Sequence, residues 1–276
     1  MVRLRLNVRH MNIEIFKKNI WTYYQKHKRN LIWRRTRDPY KILVSEVMLQ
    51  QTQSYRVEPK YKAFITKFPT VMSLAQASIA DVLQEWQGLG YNRRALYLKR
   101  CAEKISKDFK GKFPKNAEQL LSLPGVGKAT AGDVLAFAWN IPTVFIETNI
   151  RSVFIHFFFK DIEKVSDKEI LQLVEQTLDK KNPREWYWAL FDYGSMLKKK
   201  INLNNKSTHY IKQTKFIGSF RQKRSLVLRF ILKKACTKKD VEMMLGNDVV
   251  MSARIIASLE KDGFIKNKRD VLEILR

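Results

Sequence analysis

Apolar residues recur through most of the chain at the spacing of amphipathic helices. Intervals of three and four residues place such side chains on one face of a helix. Two segments show this spacing, Leu43, Val44, Val47 and Met48 in one and Leu96, Leu98, Cys101, Ile105 and Phe109 in the other. Turn sequences separate the segments at Asp38-Pro39, Phe68-Pro69, Gly88-Leu89-Gly90, Phe113-Pro114, Pro124-Gly125-Val126-Gly127, Pro142 and Pro183. The pattern predicts an all-α fold.

The pattern changes near position 200. Residues 201–224 are polar and basic and carry few periodic apolar residues, which predicts a linker. After it, the sequence predicts three short helices and two strands, at 225–234, 237–245, 248–262, 263–265 and 271–275. Three helices followed by a hairpin indicate a small winged-helix-like domain over 225–276.

The composition excludes several classes of protein. Apolar residues make up 45% of the 276 positions, too many for a disordered polyelectrolyte, and no apolar run approaches the roughly 20 residues of a membrane span. Only two cysteines occur, Cys101 and Cys236, which excludes a disulfide scaffold and a four-cysteine zinc or iron–sulfur site. Residues 1–11 lack the apolar core of a signal peptide, so we expect a cytoplasmic protein, associated with the nucleoid if the source is prokaryotic.

The charge of the chain points to a polyanionic partner. Lys and Arg number 53 against 26 Asp and Glu, a formal net charge of +27. The charge is also uneven, because no acidic residue occurs from Tyr193 to Lys239. A solvated lysine-rich surface would explain the total but not its uneven distribution. Nucleic acid is therefore the favoured partner.

Two closely spaced glycines separate two predicted helices, in the sequence Leu123-Pro124-Gly125-Val126-Gly127-Lys128-Ala129-Thr130-Ala131. Glycine permits positive φ and close approach of a backbone to phosphate, and the N–H groups that begin the next helix point outward. Gly125, Gly127 and Lys128 are therefore candidate phosphate-binding residues. An ordinary turn between helices is the alternative.

A carboxylate interrupts the most apolar predicted helix. Glu46 is flanked by aliphatic residues on both sides, which indicates a buried helix with few charges. A buried carboxylate can pair with a cation, for which Arg34, Arg35 and Arg37 are candidates. It can also hold a proton for donation, because desolvation raises its pKa. The residues alone leave both interpretations open.

A second carboxylate, Glu147, follows an apolar segment and precedes Asn149 and Arg151. Taken alone it is best explained as a helix N-cap or as an ion pair with Arg151. Taken with Glu46 it suits cleavage of an N-glycosidic bond, in which one carboxyl group protonates the leaving base and another stabilises the oxocarbenium-like sugar. Extrusion of the base also needs a backbone clamp and a side chain that fills the gap.

Longer motifs follow one another in the first half of the chain. They are Trp33-Arg34, Asp38-Pro39-Tyr40-Lys41, Ser45-Glu46-Val47-Met48-Leu49-Gln50-Gln51-Thr52, Phe68-Pro69-Thr70, Leu74-Ala75, Trp86-Gln87-Gly88-Leu89-Gly90-Tyr91, Arg94-Ala95 and the hairpin 123–131. In this order, from Trp33 to about Val153, the sequence resembles the catalytic core of A/G-specific adenine DNA glycosylases, the MutY type within the endonuclease III superfamily. The motif over 45–52 favours the adenine branch over the bifunctional pyrimidine enzymes.

The resemblance implies a helix-hairpin-helix DNA glycosylase fold over residues 12–200. A six-helix barrel would span about 33–140, and a second helical lobe would combine 12–32 with 141–200. The catalytic cleft is expected between the two. The basic linker 201–224 and the winged-helix-like domain would follow.

The resemblance also implies roles for individual residues. Glu46 would be the general acid that protonates the departing adenine at N7. Gln51 would enter the base stack near the mispair, Gln50 would help to position the pair, and Tyr91 would wedge between bases of the partner strand. Asn149 would orient the attacking water or hold the second carboxylate.

One substitution in the hairpin helix predicts the reaction type. Bifunctional members of the superfamily carry a nucleophilic lysine immediately before the Thr-Ala of this helix, where the present chain has Ala129. Lys128, one residue earlier, faces about 100° away. A monofunctional hydrolase is therefore expected.

The chain departs from the family pattern in three places. Glu147-Thr148 stands where the family has Asp-Gly, so the carboxylate is kept on an arm longer by one methylene. Lys198, Lys199 and Lys200 stand in the region of the family's cysteine cluster, so we expect no iron–sulfur cluster and no other cofactor or metal, and we expect these lysines to contact DNA phosphates. A shorter and different C-terminal domain replaces the one that reads 8-oxoguanine in the adenine enzymes.

The sequence therefore predicts a monomeric DNA repair glycosylase that acts on double-stranded DNA with a mismatched or damaged base and has no membrane partner. The expected substrate is adenine mispaired with 8-oxoguanine or guanine. One alternative is removal of thymine or uracil from mismatches with guanine. Another is a non-catalytic protein that binds mismatched DNA.

Overall fold

The computed structural model describes residues 11–275, which are largely helical, and confirms the predicted all-α core. The helices are α1 (Ile13–His27), α2 (Pro39–Leu49), α3 (Ser54–Lys67), α4 (Val71–Gln76), α5 (Ile79–Trp86), α6 (Arg93–Asp108), α7 (Ala117–Leu121), α8 (Lys128–Trp139), α9 (Thr148–Phe158), α10 (Asp167–Thr177), α11 (Pro183–Lys200), α12 (Phe220–Lys233), α13 (Lys238–Met244) and α14 (Val249–Asp262). Short 3₁₀ helices span Ile32–Arg35 and Leu203–Lys206, and the strands are β1 (Cys236–Thr237), β2 (Ile265–Lys268) and β3 (Val271–Ile274). Residues 1–10, which make up most of the segment predicted to lack a signal-peptide core, and Arg276 lie outside the described residues. Among the described helices, none is long and apolar enough to cross a membrane.

The chain divides into two compact units. The first comprises the chain up to Leu43, Lys115–Ser122 and Val126–Lys212, and the second comprises Val44–Pro114, Leu123–Gly125 and the chain from Gln213 onward. Each unit is therefore assembled from segments that are distant in sequence.

Aromatic side chains fill the core of the first unit, where α1, α9 and α11 pack together. The ring of Phe16 on α1 lies 5.2 Å from that of Phe154 and 6.0 Å from that of Trp186. All three side chains are fully buried. Burial of such large apolar surfaces is the main stabilising contribution to a core of this kind.

A buried ion pair fixes the start of the first unit to α11. Asp192 accepts hydrogen bonds from Arg34 Nη1 (2.9 Å) and Nη2 (2.8 Å), and the side chain of Arg29 also contacts it. Burial by itself raises the pKa of Asp192, but the hydrogen bonds and charges of Arg34 and Arg29 outweigh it and hold that pKa below its usual range. Arg34, one of the three arginines considered as partners of Glu46, thus donates both terminal nitrogens to Asp192.

In the second unit, α3, α4 and α5 bury their apolar faces together with α6. Trp86, at the end of α5, is fully buried and lies 6.0 Å from the ring of Phe64 on α3. Ser78 caps the start of α5 by accepting a hydrogen bond from Asp81 N. These contacts place the turn after Trp86 at a fixed position in the unit.

The C-terminal part of the second unit contains the predicted three helices and hairpin, and a short strand in addition. The sheet order is β1-β3-β2, antiparallel throughout, with Ile265 opposite Ile274 and Cys236 opposite Leu272. The first of these helices begins at Phe220 and not at 225, because Ser219 caps it by accepting from Gln222 N. Residues 220–224, predicted as linker, therefore belong to α12.

Candidate functional site

The end of α2 carries the first candidate group of side chains. Glu46 is half-buried one turn before the helix ends, and its neighbours Ser45 and Val47 are buried. Gln50 and Gln51, immediately after the helix, are exposed. The helix thus brings a partly desolvated carboxyl group close to two accessible amides.

Arg94, on α6, holds the end of α2 and the turn before α6 together. The side chain is buried, and burial lowers its pKa to about 10, which leaves the guanidinium charged at neutral pH. Its terminal nitrogens donate to five backbone carbonyls and one hydroxyl, those of Val47 (2.8 Å), Met48 (3.0 Å), Gln50 (2.5 Å), Leu89 (3.2 Å), Gly90 (3.2 Å) and Thr52 Oγ1 (3.1 Å). One cation therefore fixes both loops that carry the predicted DNA-reading residues.

Those two loops place non-glycine residues in the left-handed region. Gln51 has φ of +54° and Tyr91 has φ of +48°. Such conformations cost on the order of 1 kcal/mol each and persist where the surrounding structure enforces them. The Tyr91 side chain is 40% exposed, and its ring lies 5.4 Å from the Arg94 guanidinium. The loop geometry therefore presents Gln51 and Tyr91 outward on a rigid support.

The glycine hairpin has the form that the sequence predicts. It joins α7 to α8, and Gly125 has φ of +77°. A Cβ at Gly125 would also lie 2.6 Å from Tyr97 Cβ, so only glycine fits there. Gly127 is the N-cap residue of α8 and offers no side-chain acceptor, and Lys128 is exposed. The first amides of α8 are thus not capped by a side chain of the N-cap residue, as an anion-binding helix start requires.

Glu147 is the N-cap of α9, which is one of the two roles considered for it in isolation. Its Oε1 accepts from Asn149 N (2.6 Å) and Ile150 N (2.8 Å), and its Oε2 accepts from Asn149 Nδ2 (3.1 Å). Arg151, the other partner considered, forms an ion pair with Asp167 at 2.8 Å. The cap fixes the direction of the carboxylate and couples it to the Asn149 amide.

Lys198 lies next to this cap. Its Nζ donates to Thr148 Oγ1 at 2.8 Å, and burial of the ammonium lowers its pKa while the charge of Glu147 raises it. Thr148, which stands where the family has glycine, therefore provides a hydroxyl that glycine could not. Lys198, Lys199 and Lys200 form the last turn of α11, and Lys199 and Lys200 are exposed.

The residues near this end of α11 do not fit an iron–sulfur cluster. The two cysteines lie in the second unit, and burial raises the pKa of Cys101 to about 12 and that of Cys236 to about 11, so both are thiols at neutral pH. In the first unit, a 3₁₀ turn follows α11, and its buried Asn204 donates to Ser152 Oγ at 2.9 Å. Over residues 11–275, no three His, Cys, Asp or Glu side chains are grouped to hold a metal ion.

The predicted site residues thus form two groups. Glu46, Gln50, Gln51, Tyr91 and Gly125 belong to the second unit, and Gly127, Lys128, Glu147, Asn149, Lys198, Lys199 and Lys200 belong to the first. Arg94 lies in one of the motifs that carry the family resemblance, but no site role was predicted for it. The signal that could have indicated its role is its position on the apolar face of α6, where a charged side chain needs buried hydrogen-bond partners.

The chain is similar to several known proteins. Residues 44–180 match the family model described as HhH-GPD superfamily base excision DNA repair protein. The adenine DNA glycosylase of Buchnera aphidicola is 33% identical over 197 residues, 70% of this chain and 55% of that protein. The adenine DNA glycosylase of Mycolicibacterium smegmatis is 42% identical over 133 residues, 48% of this chain and 45% of that protein. A solved thermostable thymine-DNA glycosylase superposes with a TM-score of 0.60 at 25% identity, covering 67% of this chain and 86% of that one. The chain spans about half the length of the curated relatives it matches.

Proposed function

Because the chain belongs, through residues 44–180, to the HhH-GPD superfamily of base excision DNA repair proteins, we propose that it is a monofunctional adenine DNA glycosylase. One observation carries the proposal: α2 presents the half-buried Glu46 beside Gln50 and Gln51, on loops that the buried Arg94 holds in place. The names of the two similar proteins support adenine as the base removed.

In the proposed reaction, Glu46 donates a proton to N7 of an extruded adenine. The bond between C1′ of the sugar and the base then breaks, and its electron pair leaves with the adenine. Water adds to C1′ and loses a proton, so the products are free adenine and an abasic sugar. Glu147 would stabilise the positive sugar, and the Asn149 amide, which donates to Glu147, would keep that carboxylate in position.

The protein would bind double-stranded DNA as a monomer in the cytoplasm. The uncapped start of α8, with Gly127 and Lys128, would hold a phosphate without reading sequence. Gln51 and Tyr91 would enter the stack, since their loops present them outward. Adenine opposite 8-oxoguanine or guanine is the proposed substrate.

Ala129 supports hydrolysis over strand cleavage, because this position lacks the amine that a Schiff base would need. A test uses end-labelled duplexes that contain A:8-oxoG, A:G, T:G or U:G. Strand breaks that appear at adenine only after alkali support the proposal. Breaks without alkali would show a lyase, and tight binding without breaks would show a non-catalytic binder.

The likeness to the thymine-DNA glycosylase favours a second candidate, removal of thymine or uracil opposite guanine. The same duplexes separate the two. Breaks at T:G and U:G but not at A:8-oxoG would select the second candidate and exclude the first.

A further inference from the structure

Two residues outside the family match, Gln213 and Arg221, contact the two predicted DNA-reading residues within the second unit. Gln213 Nε2 donates to Gln51 Oε1 at 2.5 Å, and Tyr91 donates through its hydroxyl to Gln213 Oε1 at 3.1 Å. Arg221 Nη1 donates to the Tyr91 hydroxyl at 3.0 Å, and its Nη2 donates to the Thr214 carbonyl at 2.8 Å. One amide side chain thus joins Gln51 to Tyr91, and one guanidinium anchors the same tyrosine.

Apolar packing does not account for the position of this segment. Ile211, Phe216 and Ile217 are 85%, 55% and 86% exposed. Hydrogen bonds to Gln51 and Tyr91 hold Gln213 instead, and the Arg221 guanidinium holds the neighbouring Thr214 carbonyl. The segment also lies beyond residues 44–180, the part that matches the family model, so it is a feature of this chain's own C-terminal part.

The chemistry of the cluster suits a base edge. The Gln213 side chain carries an NH₂ donor and a carbonyl acceptor on the same amide group, and the Arg221 guanidinium presents a planar set of N–H donors. Both are side chains that read purines by paired hydrogen bonds. If Gln51 and Tyr91 enter the DNA stack, as the proposed function requires, their polar atoms leave Gln213 and Arg221, and the exposed edge of the opposite base can replace them.

We propose that Gln213 and Arg221 are specificity-determining residues that contact the base opposite the excised adenine. The proposal rests on the proposed function for the roles of Gln51 and Tyr91. It assigns recognition of the opposite base to a short segment next to the site.

Equilibrium binding tests the proposal without catalysis. The probes are duplexes that carry a 2′-fluoro-adenosine, which resists excision, opposite 8-oxoguanine, guanine or thymine. The wild type should prefer 8-oxoguanine or guanine over thymine. Gln213→Ala and Arg221→Ala should each reduce that preference about 10-fold, because each removes a base contact worth this order of discrimination. Lys215→Ala, in the same exposed segment, should leave the preference unchanged and serves as the matched control.

Gln213→Glu tests separately whether the amide donor of Gln213 is needed for the preference. It keeps the size of the side chain but cannot donate a hydrogen bond, so it should also lose preference while its melting temperature stays at the wild-type value. An equal gain in affinity for all three duplexes in Gln213→Ala would overturn the proposal and show that the segment only covers Gln51 and Tyr91. Two further results would overturn it. One is a preference for 8-oxoguanine or guanine over thymine that is the same in the variants as in the wild type, and the other is a wild type that has no such preference. Failure of the proposed function would show instead as an absence of adenine excision, which this binding experiment does not require.

Discussion

Gly194 of α11 lies directly against Asn149 of α9. A Cβ at position 194 would lie 2.5 Å from the Asn149 carbonyl oxygen and 2.7 Å from Asn149 Cβ. The absence of a side chain at Gly194 therefore lets α11 approach the first turn of α9, where Glu147 and Asn149 are held. The close approach of two helices positions a candidate catalytic carboxylate.

Gly194→Ala should lower the stability of the protein and its activity together. The added methyl group meets backbone atoms, which move less readily than a side chain, so we expect a loss of about 1–3 kcal/mol in the free energy of unfolding. The shift of α9 should also reduce the single-turnover rate of adenine excision. Urea unfolding and excision kinetics measure the two effects. Gly127→Ala adds the same methyl group where no atom lies within 4 Å, so its cost should be smaller, about 0.5–1 kcal/mol from the poorer N-cap that alanine makes at the start of α8.

Glu46→Gln separates a proton donor from a structural carboxylate. Glutamine keeps the size of the side chain but has no acidic proton, so excision should fall at least 10²–10⁴-fold, the usual contribution of general acid catalysis. Affinity for a mispaired duplex should persist. Single-turnover excision and equilibrium binding provide the two measurements, and a parallel loss of both would show that Glu46 is structural.

Arg94→Lys tests the support of the two loops. Lysine keeps the charge, but its three donors cannot replace six hydrogen bonds in two directions. The buried carbonyls left without a donor should lower the free energy of unfolding by about 1–3 kcal/mol. Affinity for mispaired duplexes should fall more than affinity for matched ones, because Gln51 and Tyr91 lose their support. Arg100→Lys is the control, because Arg100 lies on the same helix, is exposed and donates to the Asp262 backbone carbonyl at 3.3 Å; this variant should behave as the wild type.

Local signals account for the parts that the sequence predicted. The helical period predicted the core, and the glycine pair predicted the turn before α8, where Gly125 has positive φ. The role of Glu147 as an N-cap was also readable, because a cap depends on neighbouring residues. The start of α12 was missed because the Ser219 cap lies within a polar segment that has no apolar period.

Contacts between distant residues account for what the sequence did not predict. Gln213 is 162 residues from Gln51 and 122 from Tyr91, and no local pattern indicates that they meet. The pairing of Arg34 with Asp192 is of the same kind, since the two residues are 158 positions apart in the sequence. Neither pairing has a periodicity from which it could be derived.

Asp192→Asn should show how the buried ion pair depends on pH. The folded-state pKa of Asp192 is lowered, so the unfolded chain takes up the proton first as pH falls. The pair's contribution is therefore complete above the unfolded pKa of about 3.9 and is lost as pH falls through the folded pKa. The variant leaves Arg34 buried without its anion, so at neutral pH the free energy of unfolding should fall by about 3–5 kcal/mol.

Unfolding by urea at several pH values checks this. The difference between wild type and variant should be constant from pH 7 to 5 and should shrink below pH 4. Asp108→Asn removes an exposed partner of Lys104 and should change stability by less than about 1 kcal/mol. A difference that stays constant into acid would contradict the assigned pKa direction.

The three lysines at the end of α11 should not be equivalent in DNA binding. Lys199 and Lys200 are exposed, whereas Lys198 donates to Thr148 Oγ1 beside Glu147. Each phosphate contact adds about 0.9 to the negative slope of log K against log salt. Replacing Lys199 and Lys200 together by alanine should reduce that slope by about 2, equally for matched and mispaired duplexes, with single-turnover excision unchanged.

Lys198→Ala should show the opposite behaviour. Its salt slope should stay close to that of the wild type, while excision falls because the Thr148 hydroxyl and Glu147 lose the neighbouring ammonium.

The matched control for the Lys199 and Lys200 variant replaces Lys180 and Lys181 by alanine. These are two exposed lysines just before the other end of α11, about 27 Å away along an 18-residue helix. A salt slope unchanged by loss of Lys199 and Lys200, or reduced equally by the control pair, would show that these lysines lie on a solvated face. Because each variant changes one readout and leaves the other unchanged, the experiment separates charge near the phosphates from charge near the carboxylate.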